Sequence, residues 1–128
     1  QITVNLQLDA SLPPIWGQPD AVRQVLLNLL LNAQEAMPQG GLIELITRRK
    51  TTDRVCELSI RDTGIGMTPE QITHVFEPFR SNKAQGVGLG LALSRQIMEQ
   101  HAGHITLNSA VGKGTTVTLH IPWITDAH

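Results

Sequence analysis

VCELSIRDTGIGM (Val55–Met67) decides the fold, because it has the pattern of a strand that ends in a carboxylate and two glycines. Cys56, Leu58 and Ile60 alternate with other residues, and side chains two positions apart share one face of a strand. Asp62 continues that apolar parity, so a carboxylate is predicted to point inward at the end of a buried row. A turn-capping Asp, common in Asp-Thr-Gly sequences, is an equal alternative.

Gly64 and Gly66, the two glycines that follow, favour a binding role for this carboxylate. Glycine has no Cβ, so main chain at these positions can approach a flat ligand closely. An inward carboxylate beside them can accept a hydrogen bond from the exocyclic amino group of adenine, a donor that guanine lacks at that position. The stretch therefore predicts a pocket with specificity for adenine.

The rest of the chain surrounds this strand with four more strands and three helices. Strands are predicted over Ile2 to Leu8, Leu42 to about Arg49, Val55 to about Arg61, Ile105 to Ser109 and Thr115 to Ile121, and helices over Pro19 to about Met37, Pro69 to about Val75 and from after Gly86 to about His101. Hairpin-like neighbours favour antiparallel pairing, with the helices covering one face of the sheet. We expect a two-layer α/β (α+β) sandwich whose sheet is mixed and mostly antiparallel.

Composition narrows the class of protein. A length of 128 residues suits one domain, and 41% hydrophobic with 16% charged residues indicates a globular fold. A net charge of -1 and 3% aromatic residues argue against nucleic-acid binding and against attraction to anionic membranes. The single Cys56 excludes an internal disulfide. Because the chain begins at Gln1 within strand-like sequence, we interpret it as part of a longer protein.

The first predicted helix is apolar nearly all round, which predicts that it is largely buried. It nevertheless contains Asn28 and Asn32, which share a face because they are four residues apart. A buried amide without a partner costs about 1–3 kcal/mol. Either both amides bond to each other or to nearby main chain, or they line a wet cavity. In the second case an Asn carbonyl oxygen is a suitable ligand for Mg²⁺.

Glycines also occupy Gly86, Gly88 and Gly90, at the start of the last predicted helix. Free main-chain N–H groups and the positive end of a helix together form an anion site suited to phosphates. An exposed flexible loop is the alternative explanation for the glycines alone. Arg80 and Lys83, just upstream, are candidates for contacts with phosphate oxygens, and the alternative is that either is a solvated loop charge.

Thr115 is, like Asp62, a polar residue with inward parity on a strand, since it shares a face with Val117, Leu119 and Ile121. Together with the Asn pair of the first helix, it gives the third inward polar position. A buried Thr bonded to main chain is the usual explanation for such a residue. Three inward polar positions flanked by glycines, on three separate elements, nevertheless indicate one common polar site.

These motifs, in this order, resemble the catalytic ATP-binding domain of sensor histidine kinases, which belongs to the superfamily shared with DNA gyrase, heat-shock chaperone and mismatch-repair ATPases. The resemblance covers almost the whole chain and implies a Bergerat-type ATP-binding fold. The matching segments are the N box Asn28–Ala33, the G1 box Asp62–Met67, the F box Phe76–Phe79, the G2 box Gly86–Leu91 and the last glycine box Gly112–Thr115.

The resemblance implies a role for each matching residue. Asp62 would accept the adenine amino group, with Gly64 and Gly66 beside the base and Thr115 supporting that contact. Asn32 would ligate Mg²⁺ between the phosphates.

Catalytic roles would fall to Asn28, which assists the metal ligand, and to Lys83, which lies nearer the glycines than Arg80 and would contact the terminal phosphate. The segment from about Met67 to Gly86 would form a mobile ATP lid. The remaining nucleotide contacts would come from Phe79, Gly86, Gly88, Leu89, Gly90 and Leu91.

Two departures from the superfamily pattern bear on the reaction. Its ATP-hydrolysing members have Glu where Asn28 stands, and an amide cannot serve as a general base for water. Many histidine kinases also have a basic residue at the position of Glu35. The short lid and the segment Asn32–Met37 are similar to the nitrogen-regulation branch of the family.

None of the five histidines lies in a phosphoacceptor motif, so we expect the dimerising helical domain that carries the acceptor His to precede Gln1. Residues 1–128 would then bind Mg-ATP and donate its γ-phosphate to that domain, leaving ADP, in a two-component system with a downstream response regulator. We expect a monomeric, cytoplasmic domain without direct membrane contact. Alternatives are a serine kinase of the anti-sigma-factor type, a non-catalytic nucleotide-binding module and a hydrolytic ATPase.

Overall fold

A computed structural model describes residues 2–8, 19–50, 54–77 and 87–122. Its strands are β1 (Ile2–Gln7), β2 (Gly41–Lys50), β3 (Val55–Asp62), β4 (His104–Ala110) and β5 (Gly114–Pro122), and its helices are α1 (Pro19–Glu35), α2 (Pro69–His74) and α3 (Val87–Gln100). Every predicted element is present, and its ends differ from the prediction by at most two residues. The turn predicted at 51–53 lies outside the described residues.

The five strands form one sheet in the order β1-β2-β3-β5-β4. β1 runs parallel to β2, and the other three neighbouring pairs are antiparallel, which confirms the mixed, mostly antiparallel sheet. The register pairs Asp62 with Thr115 and Thr115 with Ser109. Three polar residues from β3, β5 and β4 therefore lie side by side across the sheet.

Helices α1 and α3 pack against each other and against β3 and β4, respectively. Between helices and sheet lies the apolar core, formed by Val25, Leu29, Ala33, Met37, Ile43, Ile60, Leu91, Ile97, Met98, Val117, Leu119 and Ile121. The alternate residues of β3 and β5 face this core, as period-2 alternation predicts. The sheet thus has one face under the helices and one outer face.

Helix α1 is less buried than its apolar sequence predicts. Leu27 and Leu31 are 49% and 45% exposed, whereas Val25 and Leu29 on the opposite side are buried. The prediction of a largely buried helix was therefore wrong for one side. The physical reason is that α1 has the sheet on one side and α3 on another, which leaves the outward side uncovered.

Helix α2 begins with a capping box. The hydroxyl of Thr68 accepts the N–H of Gln71 at 3.1 Å, and the Gln71 side chain accepts the N–H of Thr68 at 2.8 Å. Pro69 fills the first helical position, where the missing N–H is no loss. Local sequence alone accounts for the start of this short helix.

Candidate functional site

Asp62 lies at the end of β3 with only 6% of its surface exposed, so the predicted inward carboxylate is confirmed. Its Oδ1 accepts the N–H of Gly64 at 2.8 Å and the N–H of Thr115 at 3.2 Å. The first bond is the turn cap that the sequence offered as an alternative, and the second joins β3 to β5. Asp62 therefore both caps the turn and points inward, because a single oxygen, Oδ1, makes the capping bond while the side chain stays buried.

Thr115 is also buried, and its hydroxyl lies 2.7 Å from Oγ of Ser109 on β4. Ser109 Oγ accepts the N–H of Met67 at 2.9 Å and donates to the carbonyl of Gly114 at 3.1 Å. Sequence reasoning missed Ser109. It has the same inward parity as Ile105 and Leu107, the signal that identified Thr115 on β5.

The glycines beside Asp62 have a structural reason of their own. A Cβ on Gly64 would collide with the carbonyl oxygen of Ala36, and a Cβ on Gly66, where φ is +73°, would collide with that of Ala110. The loop is held in this position by Ile65, whose N–H donates to Ala36 O at 3.0 Å and whose carbonyl accepts from Gly112 at 2.9 Å. Close approach of these glycines to a ligand stays a prediction.

After the roles that the sequence predicts for them, we call Asp62, Gly64, Gly66, Ser109 and Thr115 the base end of the candidate site. On the same basis, we call Asn28, Asn32, Gly88 and Gly90 its phosphate end. Strands and their connecting turns build the base end, and helices build the phosphate end.

At the phosphate end, Asn28 joins the two long helices. Its Nδ2 donates to Oγ of Ser94 on α3 at 3.4 Å, and its Oδ1 accepts from Nε2 of Gln24 at 2.9 Å. Ser94 is fully buried, and sequence reasoning did not single it out. A fixed amide at this point is suited to orienting a ligand and has no basic group with which to activate water.

Asn32 differs from Asn28, because its Nδ2 is shut off from solvent and has no hydrogen-bond partner among the described residues. Leaving a buried donor unpaired costs about 1–3 kcal/mol, so this position calls for a ligand atom or water. The two ends of an Asn amide exchange by rotation about χ2, so the carbonyl oxygen can take the same place. The side chain therefore fits the role of an oxygen ligand for Mg²⁺.

Gly88 and Gly90 lie within the first turn of α3, which begins at Val87, so the predicted helix start directly after Gly86 is confirmed. The first four N–H groups of any helix have no acceptor inside it, and here those groups belong to residues 87–90. The phosphate-binding argument therefore remains. Leu91 is buried in the core, so any contact it makes with a ligand is through main chain.

Some of the predicted nucleotide contacts fall on residues outside the described part of the chain. Phe79, Arg80, Lys83 and Gly86 lie outside the described residues, as does the side chain of Leu89.

Each of the four described histidines has a structural partner. His101 is buried with Nδ1 2.8 Å from the carbonyl of Ile97, and His74 pairs with Glu77 at 2.9 Å. His104 stacks on His120 at 4.3 Å on the outer face of the sheet.

Burial and then the charge of His104 lower the pKa of His120.

Within the described residues, no helix combines the length and apolar character needed to cross a membrane, and no three His, Cys, Asp or Glu side chains are grouped to hold a metal ion.

A family model for "Histidine kinase-, DNA gyrase B-, and HSP90-like ATPase" matches residues 17–124. The chain therefore belongs to this ATPase family, as its five sequence boxes predicted. The fold prediction is confirmed as well, because solved catalytic domains of histidine kinases superpose on this chain.

The names of two similar proteins are consistent with this family assignment. The chain is 43% identical to "Sensor histidine kinase ZraS" of Klebsiella oxytoca over 94% of its own length and 26% of the relative, and 41% identical to "Sporulation kinase E" of Bacillus subtilis over 93% and 16%. It thus spans about a quarter of the length of these relatives or less. The solved structure of full-length ShkA in complex with AMPPNP superposes with a TM-score of 0.84 at 27% identity, covering 99% of this chain and 27% of that one.

Proposed function

We propose that residues 1–128 are the catalytic ATP-binding domain of a larger sensor histidine kinase. The observation that carries the proposal is the presence of two polar groups in one site. One is the buried carboxylate of Asp62, and the other is the buried amide nitrogen of Asn32, which has no partner among the described residues. The first matches the amino group of adenine, and the second calls for a polar ligand atom. Membership of the ATPase family and the AMPPNP complex of ShkA support this reading.

Adenine binds at the base end. Asp62 accepts its exocyclic amino group, while the turn at Gly64 and the strand pairing with Thr115 hold the carboxylate in place. Gly66 lies beside the base, on the loop that Ile65 fastens to Ala36 and Gly112.

The phosphates bind at the phosphate end, over the start of α3. Asn32 supplies an oxygen ligand to Mg²⁺, and Asn28 orients the group next to it. When bound, the Mg²⁺ ion neutralises charge on the phosphates. The free N–H groups of 87–90 donate to phosphate oxygens, and Lys83 contacts the terminal phosphate.

The reaction is phosphoryl transfer to a histidine of a separate dimerisation domain. An imidazole nitrogen bonds to the γ-phosphorus while the bond from that phosphorus to the bridging oxygen of ADP breaks, and ADP leaves. The chain contributes mainly positioning. Transfer to protein is favoured over hydrolysis because Asn28, with its amide bonded to Ser94 and Gln24, provides no base for water.

The parent protein supplies the partners. Its dimerisation domain carries the acceptor histidine, and a response regulator receives the phosphoryl group afterwards. The ATP-binding domain itself acts in the cytoplasm as a monomer, and the parent is cytoplasmic or membrane-anchored.

The decisive test supplies the 128-residue chain with γ-labelled ATP, Mg²⁺ and the dimerisation domain of its parent. We expect label on that domain that is lost in acid and kept in base, as phosphohistidine requires. Label kept in acid and lost in base would instead identify a serine kinase. Free labelled phosphate alone would identify a hydrolytic ATPase.

A parallel calorimetric titration with ATP separates the two remaining outcomes. Binding without transfer would support the non-catalytic module. No binding at millimolar ATP with Mg²⁺ would contradict the proposal altogether.

A further inference from the structure

The hydroxyl of Ser109 makes three contacts at the base end that the proposed roles do not use. Oγ lies 2.9 Å from the N–H of Met67, 3.1 Å from the carbonyl of Gly114 and 2.7 Å from Oγ1 of Thr115. A serine hydroxyl has one proton to donate and two lone pairs that accept. Three contacts therefore account for its whole capacity.

The direction of each bond follows from this capacity. Met67 N–H can only donate and the Gly114 carbonyl can only accept, so Ser109 accepts from the first and gives its single proton to the second. The remaining contact, with Thr115, must then be one in which Ser109 accepts. The proton of the Thr115 hydroxyl consequently points to Ser109.

Thr115 Oγ1 is left with lone pairs only. Thr115 is the direct cross-strand partner of Asp62, and its N–H donates to the carboxylate at 3.2 Å. Side chains of directly paired residues stand about 5 Å apart on the same face of a sheet. The base end therefore presents two acceptors side by side, a carboxylate and a hydroxyl oxygen.

We propose that Ser109 is a positioning residue that sets the direction of the Thr115 hydroxyl, and that the base end thereby selects a 6-amino purine over a 6-oxo purine. This inference rests on the proposed function, because it assumes that a nucleotide base lies against Asp62. An adenine amino group donates to both acceptors. A 6-oxo group is itself an acceptor, and placing it against two others is repulsive.

Removing the Ser109 hydroxyl frees the proton of Thr115. The Thr115 side chain can then donate to a 6-oxo group, so discrimination between the two bases falls even though Asp62 is unchanged. A site built to match a hydrogen-bonding group rejects the wrong group strongly, and this rejection is the quantity that Ser109 controls.

The test measures affinities of ATP and ITP, which differ in the group at position 6, for the 128-residue chain and its variants by calorimetry with Mg²⁺. We expect Ser109→Ala to lower the ratio of ATP affinity to ITP affinity by about fivefold or more. Ser109→Thr, which retains a hydroxyl, should restore most of the ratio.

Ser59→Ala is the matched control. Ser59 and Thr118 are also directly paired, their hydroxyls lie 2.9 Å apart, and they belong to the outer face of the same sheet. The loss of this pair removes the same chemistry from the sheet without touching the base end, so the ATP-to-ITP ratio should stay at its wild-type value.

The outcomes separate this inference from the proposed function. Equal weakening of ATP and ITP by Ser109→Ala would mean that Ser109 only supports the fold, and an unchanged ratio overturns the inference while the proposed function stands. A wild-type chain that binds neither nucleotide overturns both. Thermal unfolding of each variant shows that the affinities refer to folded protein.

Discussion

The base end and the phosphate end differ in how far the protein completes them before any ligand arrives. At the base end, Asp62 already accepts two N–H groups, and Ser109 uses its whole hydrogen-bonding capacity within the chain. At the phosphate end, Asn32 keeps a buried donor without a partner among the described residues. The hydrogen-bonding groups of the base end are preorganised, whereas the amide nitrogen of Asn32 still needs a ligand atom or water as its partner.

This difference in preorganisation has consequences for the binding free energy at each end. Preorganised groups lose little freedom when they bind, so the base end can discriminate between bases at small reorganisation cost. An unpaired buried amide destabilises the empty site, and a ligand that satisfies it gains that free energy on binding. In the proposed site, the strands therefore provide the selectivity for the base, and the helices provide the groups that bind metal and phosphate.

Gly66→Ala is expected to have the largest effect on stability, because it changes the main-chain conformation of the preorganised base end. Gly66 has φ +73°, and a Cβ there meets the carbonyl oxygen of Ala110. Left-handed strain and overpacking together should lower the free energy of unfolding by ~3 kcal/mol. Chemical denaturation measures this change.

Gly112→Ala is its matched control. Gly112 also has a positive φ of +78°, but a Cβ there meets nothing within 4 Å. Only the strain remains, so we expect a loss of about 1 kcal/mol. Equal losses for the two variants would contradict the claim that close main-chain approach shapes the base end.

Asp62→Asn should weaken ATP binding by more than about tenfold, or ~1.4 kcal/mol. The Asn side chain keeps one carbonyl oxygen for the N–H groups of Gly64 and Thr115, so the fold should survive. Its amide nitrogen replaces an acceptor with a donor and opposes the adenine amino group. Calorimetry with ATP measures the loss.

Asp20→Asn provides the comparison for that variant. Asp20 is exposed on α1 and pairs only at the surface with Arg23. The Asp20→Asn variant should bind ATP with the affinity of the wild type. If Asp62→Asn bound ATP as tightly as Asp20→Asn, the proposed contact of Asp62 with adenine would be disproved.

Asn32→Ala should have the smallest effect on the empty protein and a selective effect on the liganded one. The free energy of unfolding should stay unchanged or rise slightly, because the substitution removes an unpaired buried donor. ATP binding should lose its dependence on Mg²⁺. Titrations with and without Mg²⁺, beside denaturation curves, measure both quantities.

Gln34→Ala removes an exposed amide from the same helix and should alter neither quantity. If Asn32→Ala kept the full Mg²⁺ dependence, the metal role of Asn32 would be wrong. If it destabilised the protein strongly, the contrast between the two ends would fail instead.

Local patterns predicted much of this molecule. Alternation along β3 and β5 identified Asp62 and Thr115 as inward, and both are buried. Alternation together with glycine, proline and other turn residues placed every helix and strand end within two residues. These features depend on a few neighbouring residues, so sequence reveals them.

Other features were missed because they depend on distant parts of the chain. Leu27 and Leu31 have the composition of core residues, and only the positions of the sheet and α3 decide that they face outward. The role of Gly66 depends on Ala110, which lies far along the chain in another element. Ser109 shows the same inward parity as Thr115, but its partners come from two other segments.

By itself the sequence determined the order of the elements, the inward direction of Asp62 and Thr115, and membership of the ATPase family. Periodicity and motif order predict these features because both are properties of the linear sequence. The tertiary structure alone decided that Asp62, Thr115 and Ser109 lie in one cross-strand row and that Asn32 Nδ2 has no partner within the described part of the chain. The reason is that strand register and helix packing are non-local. They bring together residues whose separation in sequence contains no information about their hydrogen bonds.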